Sequence, residues 1–302
     1  MNLKEKKTAI VTGGTSNQFP AMAVLALNLA DKCPDIADEL VIFHDGISDD
    51  EQKKVNQIFP TRFINYRNPF SDKSSFNETI TNYFSFMVFC KYECWRLLEE
   101  YKTVIWCDYD ITFLQNVSEL KNLDGYYCSF IQDHILARKF NTKLFWDYEE
   151  AAKKIPLFSK GICACLFVLN DTFPSYLSFY DMCIKTTVSY SKALYLPEEA
   201  IISLLFIENK IDYKKIDSKK YALQPRIEKI TDMTKGIHAC GQPKFWNGLE
   251  NEQWNSYYQD WITKYHGESF HKTNVVSRIK KIIKYLLPYG VIKFYQKRKN
   301  GK

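Results

Sequence analysis

In the first 107 residues, short apolar runs alternate with helical stretches, and this alternation limits the fold more than any single motif. Thr8–Thr12, Glu39–His44, Arg62–Tyr66 and Thr103–Cys107 read as strands. Pro20–Lys32 and Ser48–Gln57 read as helices, Asn68–Asn77 as a polar loop and Ser85–Tyr101 as an aromatic-rich helix. Further on, Tyr126–Ile131 and Ile162–Leu169 are apolar enough for central strands, Glu198–Glu208 for a helix and Gly236–Cys240 for a short strand. Strands separated by helices predict an α/β fold with a largely parallel sheet. With 302 residues, 46% of them hydrophobic, the chain can bury a substantial core. We expect one domain over residues 1–268 and a separate tail over 269–302.

The nine cysteines are scattered without a C-x-x-C pair, and Cys163 and Cys165 are the closest. This spacing predicts reduced, mostly buried thiols in a cytosolic protein rather than a disulfide scaffold or zinc site. The opening MNLKEKKTAIVTGG lacks the apolar region of a signal peptide. No run approaches the roughly 20 apolar residues that span a bilayer.

Glycines follow the first strand in AIVTGGTSN, Ala9 to Asn17, as they do in a dinucleotide-binding fold. Gly13 and Gly14 are adjacent, however, so the G-x-G-x-x-G spacing is missing. A strand-end loop that holds a base or ribose is still compatible with this segment.

In KTVIWCDYDITFL, an apolar strand ends on Asp108 and Asp110. In an extended chain the two carboxylates would share one face while Tyr109 points away. Paired anions call for a cation or a proton between them. They read either as ligands of a divalent metal shared with a diphosphate or as a polar strand end with Asp110 capping the next turn. A second segment, GIHACGQPKFWNG, offers His238, Gly241, Lys244 and Trp246. His238 reads as a third metal ligand or as a packed histidine. Gly241 allows close backbone approach to phosphate, and Lys244 supplies a point charge.

Taken together, these segments resemble the family 8 glycosyltransferases. The signature H-x-x-G-x-x-K-x-W fits His238, Gly241, Lys244 and Trp246, although the family often has Pro where Phe245 stands. The D-x-D ends an apolar strand in both. Seventeen residues before the first Asp, the family has an arginine on a helix; here Lys91 stands in FCKYE. The resemblance covers roughly residues 8 to 262. It implies a GT-A fold, with a central mixed, mostly parallel sheet flanked by helices. It also implies a UDP-sugar donor, Mn²⁺ or Mg²⁺ as cofactor, a glycan or glycolipid acceptor, and retention of anomeric configuration. By position, Asp108, Asp110 and His238 would hold the metal, and Gly241 and Lys244 the diphosphate. Thr15 and Asn17 would hold the nucleoside, and Lys91 and Asp133 would contact the donor. The family's D-Q-D-x-x-N is altered to EEAIIS, so Glu198 replaces an Asp that grips sugar hydroxyls and Glu199 a Gln beside the anomeric carbon. Glu199 then reads as nucleophile, as charge stabiliser, or as a carboxylate favoured by the helix dipole. The family's N-[AS]-G becomes Cys163-Ala164-Cys165.

Two other classes compete with a metal-dependent hexosyltransferase. A sugar-nucleotide-forming nucleotidyltransferase shares the D-x-D logic but would carry a basic triphosphate loop, and GGTSNQ has no basic residue. An inactive binding relative is opposed by the intact Asp108, Asp110, His238 and Lys244.

The net charge of +6 belongs to the tail. Ten basic residues and no acidic one follow Glu268, and without them 31 basic residues face 35 acidic ones. In VVSRIKKIIKYLLPYG, the apolar positions from Val275 to Leu287 alternate with Arg278, Lys280, Lys281 and Lys284 as in a basic amphipathic helix. The tail suits the anionic, cytoplasmic face of an inner membrane; a helix docked on the domain is the alternative, and no nucleic-acid motif is present. Each basic residue near such a surface contributes about 1 kcal/mol, screened by salt. The full chain is therefore expected to sediment with anionic liposomes at low salt and less so at high salt, and a chain ending at Tyr265 to stay in the supernatant. Equal sedimentation of the two would remove the tail from membrane binding.

Overall fold

A computed structural model of the chain describes residues 7–77, 80–130, 135–140 and 155–270. The expected tail helix and Asp133 lie outside the described residues. The architecture below is that of the compact unit Met1–Glu268.

Strands β1 (Lys7–Gly14), β2 (Glu39–His44), β3 (Thr61–Asn65), β4 (Tyr101–Cys107), β6 (Tyr127–Phe130), β7 (Cys163–Asn170) and β8 (Lys214–Asp217) form one sheet in the order β3-β2-β1-β4-β7-β6-β8. β1 pairs in parallel with β2 and β4, β2 with β3, and β6 with β8. β7 runs antiparallel to both of its neighbours. The sheet is therefore mixed and mostly parallel. Every residue of β7 is buried, as a strand covered on both faces requires. Helix α1 (Phe19–Lys32) buries Phe19 through Leu29. Its Phe19 meets Trp261 of the last described helix, Glu252–Thr263, edge-to-face at 5.8 Å.

Chain order sets the site's position. From β1 the chain builds outward through β2 and β3, then returns to place β4 on the other side of β1. Connections that leave β1 and β4 in opposite directions open a crevice at their carboxyl ends. Gly14 ends β1 there, and Asp108 follows β4.

Two sequence expectations change. The helix expected over Ser85–Tyr101 is a 3-10 turn, Phe86–Tyr92, followed by a short α-helix, Glu93–Leu97, and Tyr101 already begins β4. A 3-10 turn eclipses positions three apart. That aligns Phe86 and Phe89 into one aromatic cluster, with Phe76–Phe86 centroids at 5.0 Å and Phe70–Phe89 at 4.8 Å. Packing of these rings overrides helical propensity. The glycine pair also has a packing role. A Cβ at Gly13 would lie 2.6 Å from Cys90 Sγ, and one at Gly14 2.8 Å from Met22 and 2.9 Å from Tyr109.

A second, two-stranded sheet pairs β5 (Ile111–Phe113) antiparallel with β9 (Gly236–His238), with Ile111 opposite His238. Asn28, buried on α1, holds this ribbon. Its amide donates to Phe113 O (2.8 Å), and its oxygen accepts the Phe113 N–H (2.7 Å). Asn28→Leu keeps the volume but leaves the Phe113 N–H without that acceptor. We expect a loss of about 1–3 kcal/mol in urea unfolding at unchanged slope; wild-type stability would show that the ribbon does not depend on this clasp.

Candidate active site

Asp108 follows β4 and stays tied to the sheet, its N–H donating to Cys165 O on β7 (2.9 Å). The Ile111 N–H folds back to Asp108 O (3.0 Å). Residues 108–111 thus form a turn. This corrects the expectation of an extended segment: a turn, not strand alternation, gathers the two carboxylates.

The ribbon brings the distant signature to this turn. The Asp110 carbonyl accepts the Ala239 N–H (3.0 Å), just after β9. His238 Nε2 then lies 3.2 Å from Asp110 Oδ1 and 4.0 Å from Asp108 Oδ2. One ligand atom from each of the three residues falls within 4.8 Å of the others. Two carboxylates and an imidazole so gathered fit a divalent cation of the Mn²⁺ or Mg²⁺ type. Between the aspartates, Tyr109 packs against Trp246 with ring centroids 6.1 Å apart, so the two motifs also share an aromatic contact.

Three cationic side chains relieve the repulsion between the carboxylates. Asp110 binds His238 on one oxygen and the Lys244 ammonium on the other, and Lys244 also donates to Ala239 O (2.9 Å). Asp108 Oδ1 takes Lys91 Nζ (3.0 Å) and the Trp106 indole N–H (2.7 Å). Burial would push the Asp110 carboxyl up, but His238 and Lys244 override it and hold it well below the usual carboxylate range. Burial would lower His238; Asp110 overrides this and holds the imidazole up at about 9. Burial also opposes the charge on Lys91, and Asp108 and Glu198 more than restore it.

A second layer lies behind Asp108. Lys91 Nζ reaches Glu198 (2.8 Å) and Ala164 O (3.1 Å), above the Trp106 ring at 5.3 Å. Burial raises the Glu198 carboxyl against the pull of Lys91. Beside Glu198, Glu199 pairs with Lys139 and accepts the Ala164 N–H (2.9 Å). Glu199 thus reaches Asp108 through Ala164 and Lys91. Cys163 Sγ and Cys165 Sγ lie 3.5 Å apart, and seven of the described cysteines are buried and free.

The remaining expected residues fall on the segments that follow β1 and β9. Thr15 is half-buried and Asn17 exposed beyond β1, where the Ser16 N–H donates to Asp45 (2.6 Å). Gly241 has φ +71°, which favours glycine, and Arg226 donates to the flanking carbonyls of Cys240 and Gln242. Sequence reasoning singled out neither Trp106 nor Lys139. Trp106 read as part of an apolar strand, and Lys139 carries no positional signal among 41 basic residues.

The chain belongs to glycosyl transferase family 8, whose sequence profile matches residues 9–250. No curated protein matches it in sequence. Among solved structures, the galactosyltransferase LgtC, crystallised with donor and acceptor sugar analogs, aligns at TM-score 0.62 and 14% identity, covering 83% of this chain and 95% of LgtC. The bifunctional glycosyltransferase WbbM aligns at TM-score 0.58 and 11% identity, covering 88% of this chain and 52% of WbbM. GlyE of Streptococcus pneumoniae aligns at 0.55 and 14% identity, covering 86% and 64%. Likeness at these identities establishes the GT-A-type fold.

Lys91 is the junction of this network. Lys91→Met strips Asp108 and Glu198 of their shared cation, and removing one partner of a buried pair costs about 3–5 kcal/mol. We expect a loss of that size in urea unfolding; a change under 1 kcal/mol would mean that the carboxylates find other partners.

Proposed function

We propose that the chain is a metal-dependent, retaining hexosyltransferase that moves galactose or glucose from a UDP-sugar to a bacterial surface glycan or glycolipid such as lipopolysaccharide. The observation that carries this reading is the meeting of Asp108, Asp110, His238 and Lys244 at the carboxyl end of β4, at the switch point of the sheet. In this proposal Asp108, Asp110 and His238 hold Mn²⁺ or Mg²⁺, which when bound supplies a Lewis acid to the diphosphate. Gly241 and Lys244 receive the diphosphate, and Thr15 and Asn17 face the nucleoside. Lys91, Glu198 and Asp133 serve the donor sugar, and Glu199 stands beside its anomeric carbon.

In the reaction, the bond from the anomeric carbon to the diphosphate oxygen breaks, and its electron pair leaves with UDP. The acceptor hydroxyl oxygen bonds to the same face of that carbon, and its proton passes to the departing phosphate. Charge develops in both directions: negative on UDP, where Lys244 can offset it, and positive on the sugar, where a carboxylate can.

The nucleotidyltransferase reading gains no support from AIVTGGTSN, because Gly13 and Gly14 abut protein side chains rather than forming an open phosphate cradle. Among the described residues, no helix is long and apolar enough to cross a membrane. We propose that residues 1–268 are the catalytic domain and that 269–302 hold it peripherally on the cytoplasmic face of the inner membrane.

Incubating the chain with a panel of nucleotide sugars, with and without Mn²⁺, tests the reading. Metal-dependent release of UDP is expected, and Asp108→Asn or Asp110→Asn should abolish it in folded protein. Lys244→Ala should lower turnover by roughly 10²-fold while Mn²⁺ affinity is retained. Wild-type turnover in either aspartate variant would remove the metal assignment; wild-type turnover in Lys244→Ala would place the diphosphate elsewhere.

A further inference from the structure

Glu198 and Glu199 lie in the first turn of the helix Pro197–Glu208, and each carboxylate has its own buried lysine. Lys91 serves Glu198. Lys139, 0% exposed, serves Glu199 and also donates to Ile162 O (2.6 Å). We propose that Lys139 is a positioning residue that keeps Glu199 ionised and aimed, so that a fixed negative charge faces the donor's anomeric carbon. This rests on the glycosyltransferase reading above.

Four observations carry the proposal. First, Lys139 grips this helix start at two levels. Its carbonyl accepts the N–H groups of Tyr195 and Leu196 (both 3.0 Å), just before Pro197, while its ammonium binds Glu199 one turn further on. Second, the opposite wall leaves room for the lysine stem: a Cβ at Gly161 would lie 2.4 Å from Lys139 Cε and 2.8 Å from Ser203 Oγ. Third, the clasp closes on the start of β7. Lys139 takes Ile162 O, Ser203 Oγ accepts the Ile162 N–H (3.0 Å), and Glu199 accepts the Ala164 N–H (2.9 Å). Fourth, the same Ala164 gives its carbonyl to Lys91, which holds Asp108. The clasp is therefore joined through Ala164 and Lys91 to one proposed metal ligand, Asp108.

A merely space-filling role does not call for charge here, since apolar replacements of buried ion pairs are often neutral or stabilising. What the pair provides is an ionised carboxylate inside the protein. Among the described groups facing Glu199 are Lys139, Cys163 on β7 and, on its own helix, Glu198. Lys139 supplies a cation in direct contact with its carboxylate. Without it, the two adjacent carboxylates lose a cation that touches Glu199, and uptake of a proton is favoured.

The test uses the full chain and follows donor turnover against pH. In Lys139→Met, kcat at neutral pH is expected to fall by about 10²-fold, with donor KM and Mn²⁺ affinity nearly unchanged. The acid limb of the pH profile should move to higher pH, so that activity partly returns in alkali. Lys139→Arg should keep the wild-type limb. Lys139→Met/Glu199→Gln removes both charges of the pair together and guards against misfolding of the single variant; it should be as slow as Glu199→Gln alone. Wild-type turnover in the double variant, or an unmoved acid limb in a folded Lys139→Met, would overturn the proposal. If Asp110→Asn still abolishes turnover in that case, the glycosyltransferase reading survives without it. If the wild-type chain shows no metal-dependent turnover, both readings fall together.

Discussion

Two carboxylates at the inner end of a buried strand are tenable only with partners, and the balancing of Asp108 and Asp110 organises much of this molecule. An unpaired buried carboxylate would take up a proton or unfold its surroundings. Here Asp110 lies between His238 and Lys244, and Asp108 takes Lys91 and the Trp106 indole. These partners come from three parts of the chain: the 3-10 turn of Lys91, β4 with Trp106, and the segment that carries His238 and Lys244. Charge balance at one point therefore requires β4, the 3-10 turn of Lys91, the strand of His238 and the loop of Lys244 to arrive together. A site of this kind is not attached to a finished fold; its ion pairs are among the fold's long-range contacts.

The small ribbon shows how that convergence is built. β5 is only three residues long and could not persist alone. It is fixed on one side by β9 and on the other by Asn28, whose amide satisfies both polar groups of Phe113. The register that puts Ile111 opposite His238 leaves the imidazole no choice but to lie beside Asp110. A one-residue slip would turn His238 to the other face. Ribbon register is thus a condition of the metal-type cluster.

Legibility in the sequence followed burial. β2 and β4 were readable because strands covered on both faces are continuous apolar runs; Glu39–His44 came out with the observed bounds. The edge strand β8 buries only Ile216 of its four residues and left no such run. The helix Tyr176–Tyr190 buries Phe179, Cys183 and Thr187, a stripe too narrow to stand out among its other aromatic residues. The grouping of Asp108, Asp110, His238 and Lys244 was legible because fixed spacings tie each residue to a recognisable segment. The turn that joins the aspartates was not, since it depends on Ile111 folding back under the constraint of the ribbon. Lys139 was invisible for a simpler reason: lysine at an arbitrary position normally means a solvated surface, and only the tertiary structure shows this one without exposure.

The departures from the family pattern can be read together in this light. Where the family has D-Q-D-x-x-N, this chain places Glu198, Glu199, Ala200 and Ser203, and Cys163-Ala164-Cys165 stands opposite. These are not independent changes, because the altered segments touch. Glu199 and Lys91 take the two backbone groups of Ala164, and Ser203 takes the Ile162 N–H. A second carboxylate in the first helical turn gains from the helix dipole, but that gain of up to ~1–2 kcal/mol is small against the cost of burying a charge. The Lys139 ammonium contacts that carboxylate, and Gly161 makes room for Lys139. The glutamate, its lysine and the glycine therefore form one unit, in which changing any one member removes an ion pair or creates a steric clash.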